Sequence, residues 1–285
     1  MSTHPSIIIV GCGDIGSRVA KRLLAEQWTV YGLRQTIDQL PTGVIPIQAD
    51  LTHAQCPSQW PEQAIDYVLY SAAAKQHTES GYQAAYLTGL QHVCQWLTAH
   101  QQQPKRLLFT SSTAVYAQQD HQWLDEDSPT EPTRWSGKIM LQAEQLVLNS
   151  PFAATCIRLA GIYGPGRQRL IQQVQQGATA APTQVFTNRI HAEDAAQLIT
   201  HLLKTQHAGT TLAHCYLGVD NAPSELVEVI NWLRQQLQIN RQSSELILRR
   251  AGSKRCSNAR ARALGWQPIY PSYQEGYRAL LKAGN

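Results

Sequence analysis

A chain of 285 residues with 43% hydrophobic and 15% charged residues can bury a core of its own, which excludes a disordered tail and a peptide-sized module. The formal net charge is only +4. The main basic cluster (Arg249, Arg250, Lys254, Arg255, Arg260 and Arg262) has no aromatics interleaved, so nucleic acid is not an expected partner. The cluster reads as a solvated face, with an anchor for an anionic ligand as the sharper alternative.

The polar start MSTHPS leads into an apolar run of four, too short for a signal-peptide core or a membrane span. The six cysteines lie far apart, without a CxxC pair or metal-ligand spacing. Reduced thiols, a cytoplasmic location and no metal are the expectations.

Along the first half, short runs rich in β-branched or aromatic residues fall at 6–10, 28–33, 44–47, 66–70, 106–110 and 154–159, and read as buried strands. Helical periodicity separates most of them, at 14–26 (Ile15, Val19, Leu23) and 82–99 (Tyr86, Leu90, Val93, Leu97). Parallel neighbours need a crossover that a helix supplies, so the expected architecture is a doubly wound parallel sheet. Beyond about residue 160 the alternation weakens and Gly/Pro punctuation rises. A smaller C-terminal α/β lobe is therefore expected over 161–285, after a nucleotide-binding domain over 1–160. Its helical patterns fall at 192–204, 223–237 and 257–264, with short strands at 184–190 and 245–249.

GCGDIG, Gly11 to Gly16, follows the first strand and opens the first helix. In that context GxGxxG marks a dinucleotide site. The first glycine makes a tight turn, the second lets backbone approach a pyrophosphate, and the third lets helix and strand pack closely. The helix N-terminus, at Asp14 and Ile15, then faces the phosphates. An NAD-preferring site ends its second strand on Asp or Glu, whereas this strand ends Gly32, Leu33, Arg34. A guanidinium cannot accept from a ribose hydroxyl but pairs with a 2′-phosphate, which favours NADP over NAD. Asp50 and Leu51 close the third strand, with Asp50 placed to accept from the adenine amino group.

GCGDIG, ADL at 49–51, SAAA at 71–74, FTSSTAVYA at 109–117, RLAGIYGPG at 158–166, RIHAEDAA at 189–196 and LGWQP at 264–268 occur in an order similar to the landmarks of the extended short-chain dehydrogenase/reductases. That group includes the NAD-dependent epimerase/dehydratases. The resemblance implies a Rossmann-type domain with a C-terminal substrate lobe, the active site lying between them. It implies cofactor contacts from Ser71, Ala72, Ala73 and Thr110, and a substrate-polarising role for Ser112. It also implies a tyrosine acid/base with a lysine four residues on, a cation being needed to draw a phenol of pKa ~10 into range. Here SGKIMLQAE puts Ser136 and Met140 at those two positions. Lys138, two residues along, faces elsewhere on the helix, and no tyrosine in the chain has a lysine four residues later. Tyr86 is a further departure, standing where the family commonly has asparagine. The chain therefore resembles atypical, YeeZ-like members.

Two readings stay open. One is an NADP(H)-dependent oxidoreductase or epimerase with relocated acid/base chemistry, acting on a sugar nucleotide or a small carbonyl compound. Its candidate groups are Tyr163, His191, Tyr116 and Lys138, with Arg167, Arg169, Arg189 and Arg255 as surface cations for an anionic substrate. The other is a non-catalytic NADP(H) sensor or scaffold. A homodimer through helices 82–99 and 136–149 is expected by the same resemblance.

Overall fold

The computed structural model describes residues 4–181, 183–247 and 252–283. Arg249 and Arg250, and the end of the strand expected at 245–249, lie outside the described residues.

The chain divides into two compact units. The first comprises residues 1–115, 130–158 and 196–216, the second 116–129, 159–195 and 217–285.

The first unit is built on a seven-stranded sheet. β1 (Ser6–Val10), β2 (Thr29–Arg34), β3 (Ile45–Gln48), β4 (Tyr67–Tyr70) and β5 (Arg106–Ser112) are joined by strands Ala154–Leu159 and Cys215–Gly218. The order across the sheet is Cys215–Gly218, Ala154–Leu159, β5, β4, β1, β2, β3. β1 pairs in parallel with β2 on one side and β4 on the other. After β3 the chain therefore crosses back over β1, leaving a switch point between β1 and β4 where an open α/β sheet takes its ligand. Residues 7–10 and all of β4 are buried, as expected of strands covered on both faces. The six expected strands are present; Cys215–Gly218 was not foreseen.

α1 (Asp14–Ala25) buries Ile15, Val19 and Leu23, the stripe its periodicity predicts. The helix expected at 82–99 is not one regular helix. It begins as α2 (Glu79–Tyr82), passes through a π-helical turn at Gln83–Thr88 and resumes as α3 (Gly89–Ala99). Tyr70, buried in β4, explains the interruption. Its hydroxyl donates to the Ala85 carbonyl, and a Cβ on Gly89 would lie 2.6 Å from the same oxygen. A side chain inserted into the helical ladder is a recognised cause of such a turn. α4 (Trp135–Leu148) packs beside it.

In the second unit, the strand expected at 184–190 is two short ones, Phe186–Thr187 and Arg189–His191. They are interrupted at Asn188, whose side chain bonds the Lys254 carbonyl and the Cys256 amide. The core gathers Tyr163, Val174, Val229, Ile230, Leu233 and Tyr277. Ala192–His207, Leu226–Gln236 and Ala259–Ala263 occupy the expected helical patterns.

Candidate functional site

The glycine-rich turn is fixed from both sides. Gly11 has φ +78°, and a Cβ there would fall on the Ala72 backbone. Its amide and that of Cys12 both donate to the Leu33 carbonyl, at 2.9 and 3.0 Å, while Ser71 Oγ donates to the Gly11 carbonyl at 3.1 Å. A Cβ on Gly16 would sit 2.9 Å from Ile9 Cγ2, so that glycine lets α1 close on β1. Gly13 differs. Its φ is −88°, and the nearest protein atom to an added Cβ is 3.9 Å away. No protein atom crowds a Cβ there, whereas a pyrophosphate approaching the backbone would.

The cradle thus fits a dinucleotide. Gly13 caps α1 without a side-chain hydrogen bond, and the N–H groups of a helix's first turn, which lack intrahelical acceptors, face an anion. The Asp14 carboxylate, which would repel phosphate, is paired with Arg18 at 2.8 Å.

Arg34, at the end of β2, curls back over this turn. Nη1 donates to the Cys12 carbonyl at 3.3 Å and Nη2 to Gln39 Oε1 at 3.1 Å. A second cation joins it: exposed Lys75, past the end of β4, donates to the Gln35 side chain. The Gln35 amide in turn donates to Asp50. The other Asp50 oxygen accepts from the Thr52 amide and hydroxyl at 2.9 and 2.7 Å, which holds its carboxyl below the usual range. Both Asp50 oxygens therefore already have partners. Leu51 is half-buried, its carbonyl bonded to His92.

Beyond the switch point, Ala72 is buried and Ala73 exposed, and Thr110 Oγ1 donates to the Tyr70 carbonyl at 3.1 Å. Half-exposed Ser112 accepts from the Ala114 amide at 3.1 Å. α4 starts against this turn: a Cβ on Gly137 would lie 2.7 Å from Pro132 Cβ and closer still to the Ala114 carbonyl. α4 is anchored by Glu144, which receives Arg158 Nε at 3.0 Å, Arg158 Nη2 at 2.8 Å and Ser111 Oγ at 2.5 Å. Ser136 is half-buried, Lys138 exposed, and Met140 buried.

Tyr163, His191 and Tyr116 lie in the second unit, packed into it. Tyr163 is 4% exposed, its ring 4.5 Å from Tyr277 and 5.2 Å from His191. Its hydroxyl lies over Gly276, where a Cβ would collide with it. Burial, and then the charge of Asp220, push this phenol far above its ordinary range. His191 Nδ1 accepts from the Glu193 amide at 3.2 Å, at the start of the following helix. Tyr116 is buried and donates to the Asp125 carbonyl at 2.7 Å.

The four arginines are not alike. Arg167 and Arg169 are exposed. Arg189 is buried rather than on the surface, donating to Thr187 Oγ1 at 2.6 Å. Arg255 lies between the rings of Trp123 and Phe186, at 5.3 and 4.9 Å. Of the described members of the basic cluster, Arg262 is exposed, whereas Lys254, Arg255 and Arg260 are not on a solvated face. Lys254 is buried with Nζ on the Tyr116 carbonyl at 2.6 Å, and Arg260 pairs with Asp127 at 2.5 Å and buried Glu126 at 3.6 Å. These long side chains bury their stems while their heads find fixed acceptors.

The model of the NAD dependent epimerase/dehydratase family matches residues 7–216, from β1 into the strand Cys215–Gly218. The chain belongs to this family. It is 28% identical over 212 residues to protein YeeZ of Escherichia coli K12, a match covering 71% of this chain and 74% of that one. A Methylobacillus flagellatus protein assigned to the NAD-dependent epimerase/dehydratases has a similar structure, with 35% identity, a TM-score of 0.83 and 99% of each chain covered. MoeE5, solved with UDP-glucuronic acid and NAD, shares the fold at 18% identity and TM-score 0.77 over 96% of each chain. Among the described residues, no helix of this epimerase/dehydratase-family chain is long and apolar enough to cross a membrane.

Sequence reasoning missed Lys75. It stands four residues beyond the end-of-strand serine, Ser71, and only the sheet order brings that loop toward Gln35. It also missed what α2 and the π turn gather around Trp135. His77 and Tyr82 lie 5.2 and 5.0 Å from its ring, and Tyr86 lies 5.0 Å from Tyr82.

Proposed function

We propose that this chain is an NADP(H)-dependent oxidoreductase of the epimerase/dehydratase type, acting on a sugar nucleotide or a small carbonyl compound without the usual tyrosine–lysine pair. The observation that carries the reading is the coincidence, at one turn, of a Gly13 at which no protein atom crowds a Cβ and an Arg34 guanidinium bonded to the Cys12 carbonyl. The first amides of α1 would hold the pyrophosphate, and Arg34, with Lys75 nearby, the 2′-phosphate. Ser112 would donate to the substrate's carbonyl oxygen, its own oxygen being oriented by the Ala114 amide. The bound nicotinamide supplies hydride exchange.

The second reading, an NADP(H) sensor, draws support from Met140, which is buried in the packing of α4 at the position where the family's lysine would serve a phenol. One experiment separates them. Calorimetry with NADPH and NADH is followed by a panel of carbonyl compounds and sugar nucleotides, with cofactor oxidation monitored. The oxidoreductase reading expects NADPH to bind more tightly than NADH and at least one compound to turn over. Tight binding with a silent panel favours the sensor, and no binding of either nucleotide defeats both.

A further inference from the structure

Tyr82, Tyr86 and Tyr270 are the tyrosines that are not buried, and Tyr82 and Tyr86 stand in the first unit with the nucleotide cradle. Arg34 fixes the adenosine half of a dinucleotide on the β2 side of β1. A ligand with its pyrophosphate at Gly13 must then extend its other half over the ends of β4 and β5, on the far side of the switch point. The residues at the ends of those two strands are Ser71 to Ala74, just past β4, and Ser112 to Val115, from the last residue of β5 onward. Tyr86 lies toward the first group, the Ala74 backbone being among the neighbours that act on its phenol. It lies toward α4 as well: its ring meets Tyr82 at 5.0 Å, and Tyr82 meets Trp135 at 5.0 Å. Trp135 precedes Ser136, and Gly137 rests on the Ala114 carbonyl two residues past Ser112. A half-exposed phenol thus stands one ring away from Trp135, the residue before Ser136.

We infer that Tyr86 is a catalytic residue, the proton donor standing in for the tyrosine missing at Ser136, and that it serves the reduction of a carbonyl substrate. This rests on the oxidoreductase reading above. Where a bound nicotinamide would supply hydride to the carbonyl carbon, the oxygen would require a proton. The phenol O–H bond of Tyr86 breaks, the alcohol O–H bond forms, and the phenolate regains a proton from solvent. The phenol carries a single O–H, which a substrate oxygen can receive. The Ala74 backbone favours the phenolate while it waits. Burial and neighbouring Tyr82 keep the phenol protonated, as a proton donor to an alkoxide needs, and no lysine is required for this direction.

The test uses the full chain with carbon-13 at the tyrosine ζ carbons, titrated by NMR with and without NADP⁺. Tyr86→Phe identifies the signal, and calorimetry reports binding separately. The expected result is that NADP⁺ binds and moves the Tyr86 titration to lower pH, because a cationic ring nearby favours phenolate. Binding with an unmoved Tyr86 titration overturns this inference and leaves the oxidoreductase reading standing. Absence of binding overturns both. With a substrate in hand, Tyr86→Phe lowers kcat about 100-fold or more, with thermal stability and NADPH affinity unchanged, whereas Tyr82→Phe changes kcat less than about threefold. An equal loss in the two variants, or loss only in His77→Gln, overturns it as well.

Discussion

The guanidinium of Arg34 donates to the carbonyl of Cys12 across 22 residues of sequence, Nη1 to oxygen 3.3 Å. On the reading proposed above, this bond links the residue that would read the ribose to the turn that would hold the pyrophosphate. Its partner carbonyl is uncharged, so the guanidinium keeps its full charge for an incoming phosphate. Arg34→Ala is expected to weaken NADPH binding by about 10- to 100-fold, the worth of one or two charge-assisted hydrogen bonds. NADH affinity should move less than about threefold. Lys75→Gln should act in the same direction and more weakly, as an exposed ammonium does. Calorimetry at fixed salt checks this; equal losses for both nucleotides would mean that Arg34 only braces the turn.

The three glycines of the turn should fail in different ways. Gly13→Ala adds a methyl to open space at a negative φ, so the protein should keep its Tm while losing nucleotide binding. Gly16→Ala drives a methyl to 2.9 Å from both the Gly11 carbonyl and Ile9. Its cost appears first as stability, about 1–3 kcal/mol for overpacking. Circular dichroism melts beside nucleotide titrations distinguish the two. A Gly13→Ala protein that still binds NADPH at wild-type strength would remove the pyrophosphate from this turn.

What the sequence disclosed was whatever repeats with a simple period or stands at a fixed offset. Apolar runs such as Ile7–Val10 are strands because both sheet faces are covered, and the glycine spacing reports a turn that backbone sterics demand. The strand Cys215–Gly218 was not legible, being four residues long with no flanking alternation. Nor was helix Arg169–Gln175, whose glutamines hide the apolar contacts of Ile171 and Val174, or the C-terminal helix Tyr273–Ala283, whose buried face includes a glycine, Gly276, among its tyrosines. The π turn escaped because its cause, the Tyr70 hydroxyl under Ala85, comes from another strand. Tyr86 and Lys75 were opaque for the same reason, since their neighbours are set by sheet order.

Glu144 and Arg158 hold α4 to the sheet just behind Ser112. Both are buried, and the pair is doubly bonded, with Ser111 as a third partner. Removing one partner from a buried pair strands the other charge. Glu144→Ala is therefore expected to cost about 3–5 kcal/mol in urea unfolding. The double change Glu144→Leu with Arg158→Met should recover most of that loss, since an apolar pair of similar volume needs no compensation. A single variant as stable as wild type would show that water reaches the guanidinium.

Asp220 carries the clearest pH signature. It is 2% exposed; one oxygen accepts from the Ala222 amide at 3.1 Å, and the other has no hydrogen-bond partner among the described residues. Burial raises its pKa to about 7 against the pull of Arg189, with Asp194 and Glu275 adding repulsion. Between the unfolded value near 4 and the folded value, the folded chain binds a proton that the unfolded chain has lost. Stability from this group is therefore highest below about pH 4, falls through the interval up to about pH 7 and is level above it, a loss of the order of a few kcal/mol. Asp220→Asn removes the titration. The variant should be more stable than wild type above neutrality and should lack the decline between those limits. Urea unfolding at a series of pH values reads this directly, and a wild-type curve that rises with pH across the interval, with no difference in the variant, would mean that Arg189 holds Asp220 ionised throughout.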